Sequence, residues 1–240
     1  MIIIIPARYN SSRFPGKPLV EIKGIPMIKR VYNQCSIGFE GKILVATDSD
    51  KIYNYCMSER IDSIMTSKHC KTGTDRVYEA ALNFDVDLII NIQGDEPLFN
   101  PNDIKKFILA IDNFKNEYQV FAGYTDINDE SQYYSNQIPK MIVNKKNELL
   151  YTSRSAIPGN KKSEFINSFK QVCIYAYTKK ALSIFCSQDK SPIEEIEDLE
   201  LLRFLENDIK VKMIKLSDSS VSVDNPEDLI AVETILNNSK

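Results

Sequence analysis

Three cations, Arg8, Arg13 and Lys17, fall in one short polar stretch, interleaved with Asn10, Ser11 and Ser12 and stiffened by Pro15, Gly16 and Pro18. Guanidinium forks, an ammonium and free backbone N–H groups in one loop make a cradle for a polyphosphate. A second polar cluster, Gln93-Gly94-Asp95-Glu96-Pro97, offers carboxylates on a turn in which Gly permits close backbone approach and Pro fixes the direction. A magnesium ion bound with a nucleoside triphosphate needs such an acidic partner, because it takes oxygen ligands from one or two carboxylates and from the phosphates. A third stretch, Thr72-Gly73-Thr74-Asp75-Arg76, reads by itself only as a well-capped helix start, with threonines to cap and an acid in the first turn.

The elements that must position these groups are legible in the apolar runs. Ile2 to Ile5 are four β-branched residues, long enough for a strand buried on both faces and too short for a helix, and Pro6 is expected to end them at once. The basic loop follows directly, and in an open α/β sheet ligands bind beyond the carboxyl ends of the strands. A helix is expected from about Met27 to Cys35, strands at Ile43 to Ala46, Ser63 to Met65 and Asp87 to Ile92, and a helix from Val77 to Asn83. Strand, helix, strand in alternation is a βαβ pattern and predicts a Rossmann-like, three-layer αβα fold with a mostly parallel sheet. The Gly-rich GxGxxG turn is absent after the first strand, which argues against a nicotinamide or flavin cofactor even with Asp48 after the second strand.

From 120 to 178 the texture changes to short strands, such as Lys140 to Val143 and Val172 to Tyr177, alternating with turns, and this predicts a mixed-sheet lobe inserted in a single domain spanning 1–240. Tyr133 and Tyr134 read either as interface aromatics or as buried lobe residues. Pro192 to Asn207 is expected to be one amphipathic helix, with Ile193, Ile196, Leu199 and Leu202 on one face and its acids solvated. A strand at Val211 to Ile214, a turn carrying Asp224, and a closing helix from Pro226 to Leu236 complete the chain.

The chain has 240 residues, 43% hydrophobic and 26% charged, which is ample for a buried core. A net charge of −3 with no basic, aromatic-interleaved run excludes a broad nucleic-acid footprint. No signal peptide or membrane span is expected from the N-terminal run, so a cytoplasmic protein is predicted. Five cysteines without CxxC spacing, Cys35, Cys56, Cys70, Cys173 and Cys186, argue against disulfides and structural zinc and read as small buried hydrophobes.

In order and at their spacing, IPARYNSSRFPGKPL, TGTDR, NIQGDEP, SRSAIP and VDNPEDL resemble the 3-deoxy-manno-octulosonate (KDO) cytidylyltransferases, or CMP-KDO synthetases, from end to end. The resemblance implies a nucleotide-diphospho-sugar transferase fold and a reaction in which CTP and an acidic 3-deoxy-ulosonic sugar give the CMP-sugar and pyrophosphate, for lipopolysaccharide or capsule synthesis. By the same resemblance Asp95 and Asp224 would ligate Mg²⁺ and, with Lys17, form the catalytic set. Pro6, Ala7, Arg8, Ser11, Arg13, Lys17, Thr74, Arg76, Gln93 and Asp95 would bind the nucleotide, Arg76 reading the cytosine. Gln93, Arg154, Gln171, Tyr175, Glu200 and Leu201 would line the sugar site, with Arg154 on the carboxylate. His69, the only histidine, has no role implied for it. A metal that acidifies the sugar hydroxyl would make a protein base unnecessary.

Two positions depart from the pattern: Gln171 stands where the family carries a histidine, and Leu201 where it carries a glutamine after the glutamate. Both lost polar groups would face the hydroxyl-bearing end of the sugar, which points to a modified KDO such as an 8-amino form or a related ulosonic acid, or to drift at a solvent-bridged contact. The resemblance also implies a homodimer built through the inserted lobe. The alternatives are a cytidylyltransferase for a sialic-acid-like sugar and a catalytically silent nucleotide-binding regulator; keeping both metal carboxylates argues against the latter.

Overall fold

The computed structural model describes residues 1–10 and 14–238, and these form two compact units, Met1–Lys105 with Ser219–Lys240, and Lys106–Asp218. Ser11 and Arg13 of the basic loop therefore lie outside the described residues.

In the first unit, β1 (Ile2–Ala7), β4 (Ile43–Thr47) and β6 (Leu88–Ile92) are buried along their whole length, as continuous Ile, Leu and Val runs require in a parallel sheet covered on both faces. β1 pairs in parallel with β4 on one side and with β6 on the other, and β4 pairs in parallel with β5 (Ser63–Met65), giving the order β6-β1-β4-β5. The chain thus builds outward from β1 in one direction and returns to its other side with β6. That reversal makes a crevice at the carboxyl ends of β1 and β6. A small hairpin, β2 (Glu21–Ile22) and β3 (Ile25–Pro26), then α1 (Met27–Gly38), α2 (Asp50–Ser58) and α3 (Gly73–Ala81) connect the strands, and α4 (Pro101–Phe114) starts in this unit and ends in the second.

Pro6 does not end β1. Pairing with β6 stops at Ile4, whereas pairing with β4 runs on through Pro6 and Ala7, so proline sits where one side of the ladder has already ended. The third helix begins at Gly73 and not at Val77: Asp75 N–H donates to Thr72 Oγ1 at 3.2 Å and Thr72 N–H to Asp75 Oδ2 at 2.8 Å, a reciprocal cap that pulls Thr74 and Arg76 into its first turn.

In the second unit β7 (Val120–Ile127) pairs in parallel with β11 (Val211–Lys215) and antiparallel with β10 (Ser168–Thr178), while β8 (Lys140–Val143) pairs antiparallel with both β10 and β9 (Leu149–Ser153). The register of β10 slips between Val172 and Tyr175, and Ile174 fills the space above Gly123, where a Cβ would lie 2.8 Å from Ile174 Cγ2. Tyr133 of α5 (Glu130–Tyr134) is buried against Phe165, and the Tyr134 hydroxyl donates to Ser163 O at 2.6 Å from a half-exposed ring. α6 (Lys179–Cys186) follows β10.

The single helix expected over 192–207 is two: α7 (Pro192–Glu197) and α8 (Leu201–Glu206), broken at Asp198, whose φ of 51° is left-handed. Its acidic face is solvated only in part: Glu195, Asp198 and Glu206 are exposed, whereas Glu194 and Glu197 turn inward. Glu194 is buried in a two-pronged ion pair with Arg203, and the Glu197 carboxylate accepts from Ser153 Oγ and Arg154 N–H. Ile196 is 84% exposed while Leu199 and Leu202 are buried, because the break turns the two halves to different surroundings. Cys35 and Cys56 are buried as expected, but Cys70, Cys173 and Cys186 are only half-buried, and all five are free thiols. The closing helix α9 starts at Asp228, two residues beyond Pro226, and runs to Asn238. Among the described residues no helix is long and apolar enough to cross a membrane.

Candidate active site

The crevice at the ends of β1 and β6 gathers chain segments far apart in sequence. Gly94 follows β6 where a Cβ would come within 2.8 Å of the Pro6 carbonyl oxygen, so only glycine lets the two strand ends approach. The loop after β1 closes on itself: Gly16, at φ 72°, donates its N–H to Tyr9 O at 2.8 Å and starts a short 3-10 helix, Lys17–Leu19. Phe14 packs on a core cluster of Ile22, Met27, Val223 and Val232, which ties the loop to the C-terminal segment.

Lys17 is thereby aimed at two carboxylates. Its Nζ donates to Asp95 Oδ2 at 2.7 Å and to the Val223 carbonyl at 2.7 Å, and lies 3.9 Å from Asp224 Oδ1. Val223 N–H in turn donates to Asp95 O at 2.9 Å, so the peptide before Asp224 is bracketed by both partners. Asp228 caps this turn, its Oδ2 accepting from Asp224 N–H and Asn225 N–H at 2.8 Å each. The neighbouring acids Asp95 and Glu96 part company: Asp95 faces Lys17, whereas Glu96 is buried and accepts from Ser220 Oγ. Glu96 therefore braces the Asp224 segment rather than joining its carboxylate.

Asp95 and Asp224 meet on one cation and are hard oxygen donors, the set that fits Mg²⁺ held by two carboxylates with the remaining positions supplied by phosphate and water. Among the described residues no group of three or more His, Cys, Asp or Glu comes together, so a purely protein-built metal cage is not formed there.

Around the first turn of α3, a Cβ on Gly73 would lie 3.7 Å from Pro6 Cγ and 3.8 Å from either Gln93 amide atom, so Pro6, Gly73 and Gln93 stand side by side. Ala7 and Thr74 are buried beside them, and Arg8 is exposed. Arg76 is buried with its guanidinium spread between Thr66 Oγ1, at 2.5 Å, and Asp48 Oδ2, at 2.9 Å. Asp48 and Thr66 were not among the sequence candidates; the one signal was an acid directly after β4, because the bond to Arg76 spans 28 residues.

The remaining candidates lie in the second unit. Arg154 is held at every polar group. Its N–H donates to Glu197 Oε2 at 2.8 Å, its carbonyl accepts from Lys140 Nζ at 2.5 Å, and its guanidinium donates to Glu197 O, Asn136 O and Asp198 O. Burial pushes the Glu197 carboxyl up, but hydrogen bonds from Ser153, the Arg154 amide and Tyr151, with the Arg154 charge, outweigh it and leave it below the usual range. Burial, and secondarily the Arg154 charge, pushes the Lys140 ammonium down. Sequence reasoning missed Glu197 and Lys140, which carry no signal until the strands are paired. Gln171 Nε2 donates to Tyr175 OH, and the Tyr175 phenol is pushed well above its ordinary value by burial first and then by Cys173, Tyr177 and Glu200. Leu201 is buried at the start of α8, directly after Glu200.

A mainly parallel α/β sheet with a cation and two acids at its crevice suits a nucleotidyltransferase. The cytidylyltransferase family model matches residues 2–213, and the chain is 39% identical over 236 residues to the 3-deoxy-manno-octulosonate cytidylyltransferase of Parabacteroides distasonis, covering 94% of each. The chain belongs to the KDO cytidylyltransferase family. It is also 37% identical over 238 residues to the 8-amino-3,8-dideoxy-manno-octulosonate cytidylyltransferase of Shewanella halifaxensis, covering 98% of this chain and 97% of that one. A CMP:2-keto-3-deoxy-manno-octonic acid synthetase solved with CTP superposes with a TM-score of 0.93 at 32% identity, over 100% of this chain and 99% of its own. A Bacillus anthracis chain assigned as a glucose-1-phosphate thymidylyltransferase, at TM-score 0.67 and 16% identity, shares the fold.

Proposed function

We propose that the enzyme transfers CMP from CTP to the anomeric hydroxyl of KDO or 8-amino-KDO, with Mg²⁺, and releases pyrophosphate. The observation that carries this reading is the convergence of Lys17, Asp95 and Asp224 on one point at the carboxyl end of the parallel sheet. In-line attack on the α-phosphorus builds charge on the phosphate oxygens, and catalysis is mostly positioning and charge neutralisation. Asp95 and Asp224 would hold Mg²⁺, which when bound supplies Lewis acidity toward the phosphates and the attacking hydroxyl. Lys17 and Arg8 supply positive charge for the triphosphate, and Pro6, Ala7, Thr74 and Gln93 form the wall on which the nucleoside rests. Arg76, with its guanidinium fixed by Asp48 and Thr66, reads the base. Ser11 and Arg13 complete the phosphate loop in this proposal.

Arg154 would hold the ulosonic carboxylate, with Tyr175 and Glu200 along the sugar. Gln171, turned onto the Tyr175 hydroxyl, and the apolar Leu201 favour the 8-amino sugar, because a site lacking two groups that read a hydroxyl loses its preference for it. The CMP-sugar would serve lipopolysaccharide or capsule synthesis in the cytoplasm, and a homodimer through the second unit is proposed.

Pyrophosphate release with CTP, Mg²⁺ and each sugar tests the activity, and kcat/KM for KDO against 8-amino-KDO at one CTP concentration tests the choice of sugar. A preference for 8-amino-KDO that Leu201→Gln reduces is the expected result. No pyrophosphate with either sugar would refute the reaction, and a preference for KDO unchanged by Leu201→Gln would refute the altered specificity alone.

A further inference from the structure

Lys17 is held in place from both sides: its ammonium bonds the Val223 carbonyl, Val223 is rooted in the core cluster with Ile22, Met27 and Val232, and its other partner is Asp95 Oδ2. We infer that Lys17 guards the carboxylate pair. Its ammonium competes with a divalent cation for Asp95 Oδ2 and yields only when a triphosphate offers it another anion, so the site's ligand is the metal–nucleotide complex and not the free metal. The identity of the nucleotide rests on the cytidylyltransferase reading above; the competition rests on geometry.

The geometry is restrictive. Magnesium binds a carboxylate oxygen at about 2.1 Å, and the ammonium is already 2.7 Å from the same oxygen, so the two cations would stand within about 5 Å of each other. Lys17 is 14% exposed and Asp95 27%, and in such a half-buried site repulsion between like charges is screened less than in water. With only two carboxylates converging, a bare metal gains little to offset that repulsion. A triphosphate changes both sides of the balance: it gives the ammonium oxygens to follow and gives the metal the ligands the protein does not supply. A lysine that merely braced the turn would make no such demand, and its removal would loosen the fold without improving metal binding.

The test uses the full-length enzyme without nucleotide or sugar, with Mn²⁺ added stepwise and the free ion read by electron paramagnetic resonance. Lys17→Met should bind Mn²⁺ about tenfold or more tighter than wild type, since one nearby positive charge is gone. Lys17→Arg, which keeps the charge, should stay near wild type, and adding Asp95→Asn to Lys17→Met should abolish the gain. Mn²⁺ affinity in folded Lys17→Met no higher than in wild type would overturn the inference; if that variant fails to fold, Lys17→Gln, which can still donate to Val223 O, is judged by the same criterion. CTP binding to wild type with saturating Mg²⁺ present, measured by calorimetry, stands apart from this comparison. Failure to bind CTP there would count against the nucleotide reading and leave the Mn²⁺ result to decide the competition.

Discussion

Arg203 and Glu194 form a two-pronged ion pair, Nε to Oε2 at 2.6 Å and Nη2 to Oε1 at 2.7 Å, with both side chains almost fully out of water. The same guanidinium lies 3.7 Å from the centre of the Phe185 ring, whose stack continues through Phe204 and Tyr177 to Tyr175. A buried pair of this kind ties α7 to α8 across the break at Asp198. Removing one partner leaves the other charge buried and alone, so Glu194→Ala should destabilise the enzyme by about 3–5 kcal/mol, measured by denaturant unfolding. A change below about 1 kcal/mol would mean that water reaches Arg203.

Asp95→Asn and Asp224→Asn should each lower turnover by orders of magnitude at saturating Mg²⁺, with melting temperatures close to wild type. Both acids sit in turns at the rim of the crevice, half-exposed, so the substitution would remove the charge proposed to hold Mg²⁺ and little packing. Near-wild-type rates for either would remove it from the proposed metal site.

Gly94→Ala should cost about 1–3 kcal/mol through the clash with the Pro6 carbonyl, and should lower activity as well, because the strand ends that must part carry Lys17's loop and Asp95. The comparison is Gly159→Ala, where a Cβ meets nothing within 4 Å and unfolding should hardly change.

Glu148 carries a pH signature. Hydrogen bonds from Asn144 and then Tyr118 hold its carboxyl down to about 2 from an ordinary 4.5. A depressed acid contributes stability that is complete above its unfolded value and lost as pH falls toward the folded one. The stability gap between wild type and Glu148→Gln should therefore be largest near neutrality and close between pH 4.5 and 2, followed by thermal melts; a gap independent of pH would contradict it.

The proposed homodimer should sediment at twice the 27.4 kDa chain at micromolar concentration. A single species near the chain mass would reject it.

The parallel strands were legible because a run such as Ile2 to Ile5 or Leu88 to Ile92 has only one stable setting, buried on both faces, and the polar groups next to it must then stand at the sheet's edge. That logic reaches Lys17 and Asp95. It does not reach Glu96, whose neighbour Asp95 has the same charge and turn but whose partner Ser220 is 124 residues away. Nor does it reach Asp198: residues 192–207 have helical spacing throughout, and only the long-range bonds of Glu194 to Arg203 and Glu197 to Ser153 show why the chain bends between them. Periodicity reports which face is apolar, and it is silent about which carboxylate finds a cation far along the chain.

The bond from Lys17 to the Val223 carbonyl spans 206 residues. During synthesis the loop after β1 and Asp95 are made early, but the peptide that anchors Lys17 and carries Asp224 is translated only after the entire second unit. The nascent chain therefore holds Lys17 and Asp95 without Val223 and Asp224 until the second unit has been made. Closing that cluster must wait until the second unit has been made, and the same segment packs Val223 and Val232 onto Ile22 and Met27. A chain cut short before Val223 would lack both the carbonyl that anchors Lys17 and the carboxylate of Asp224.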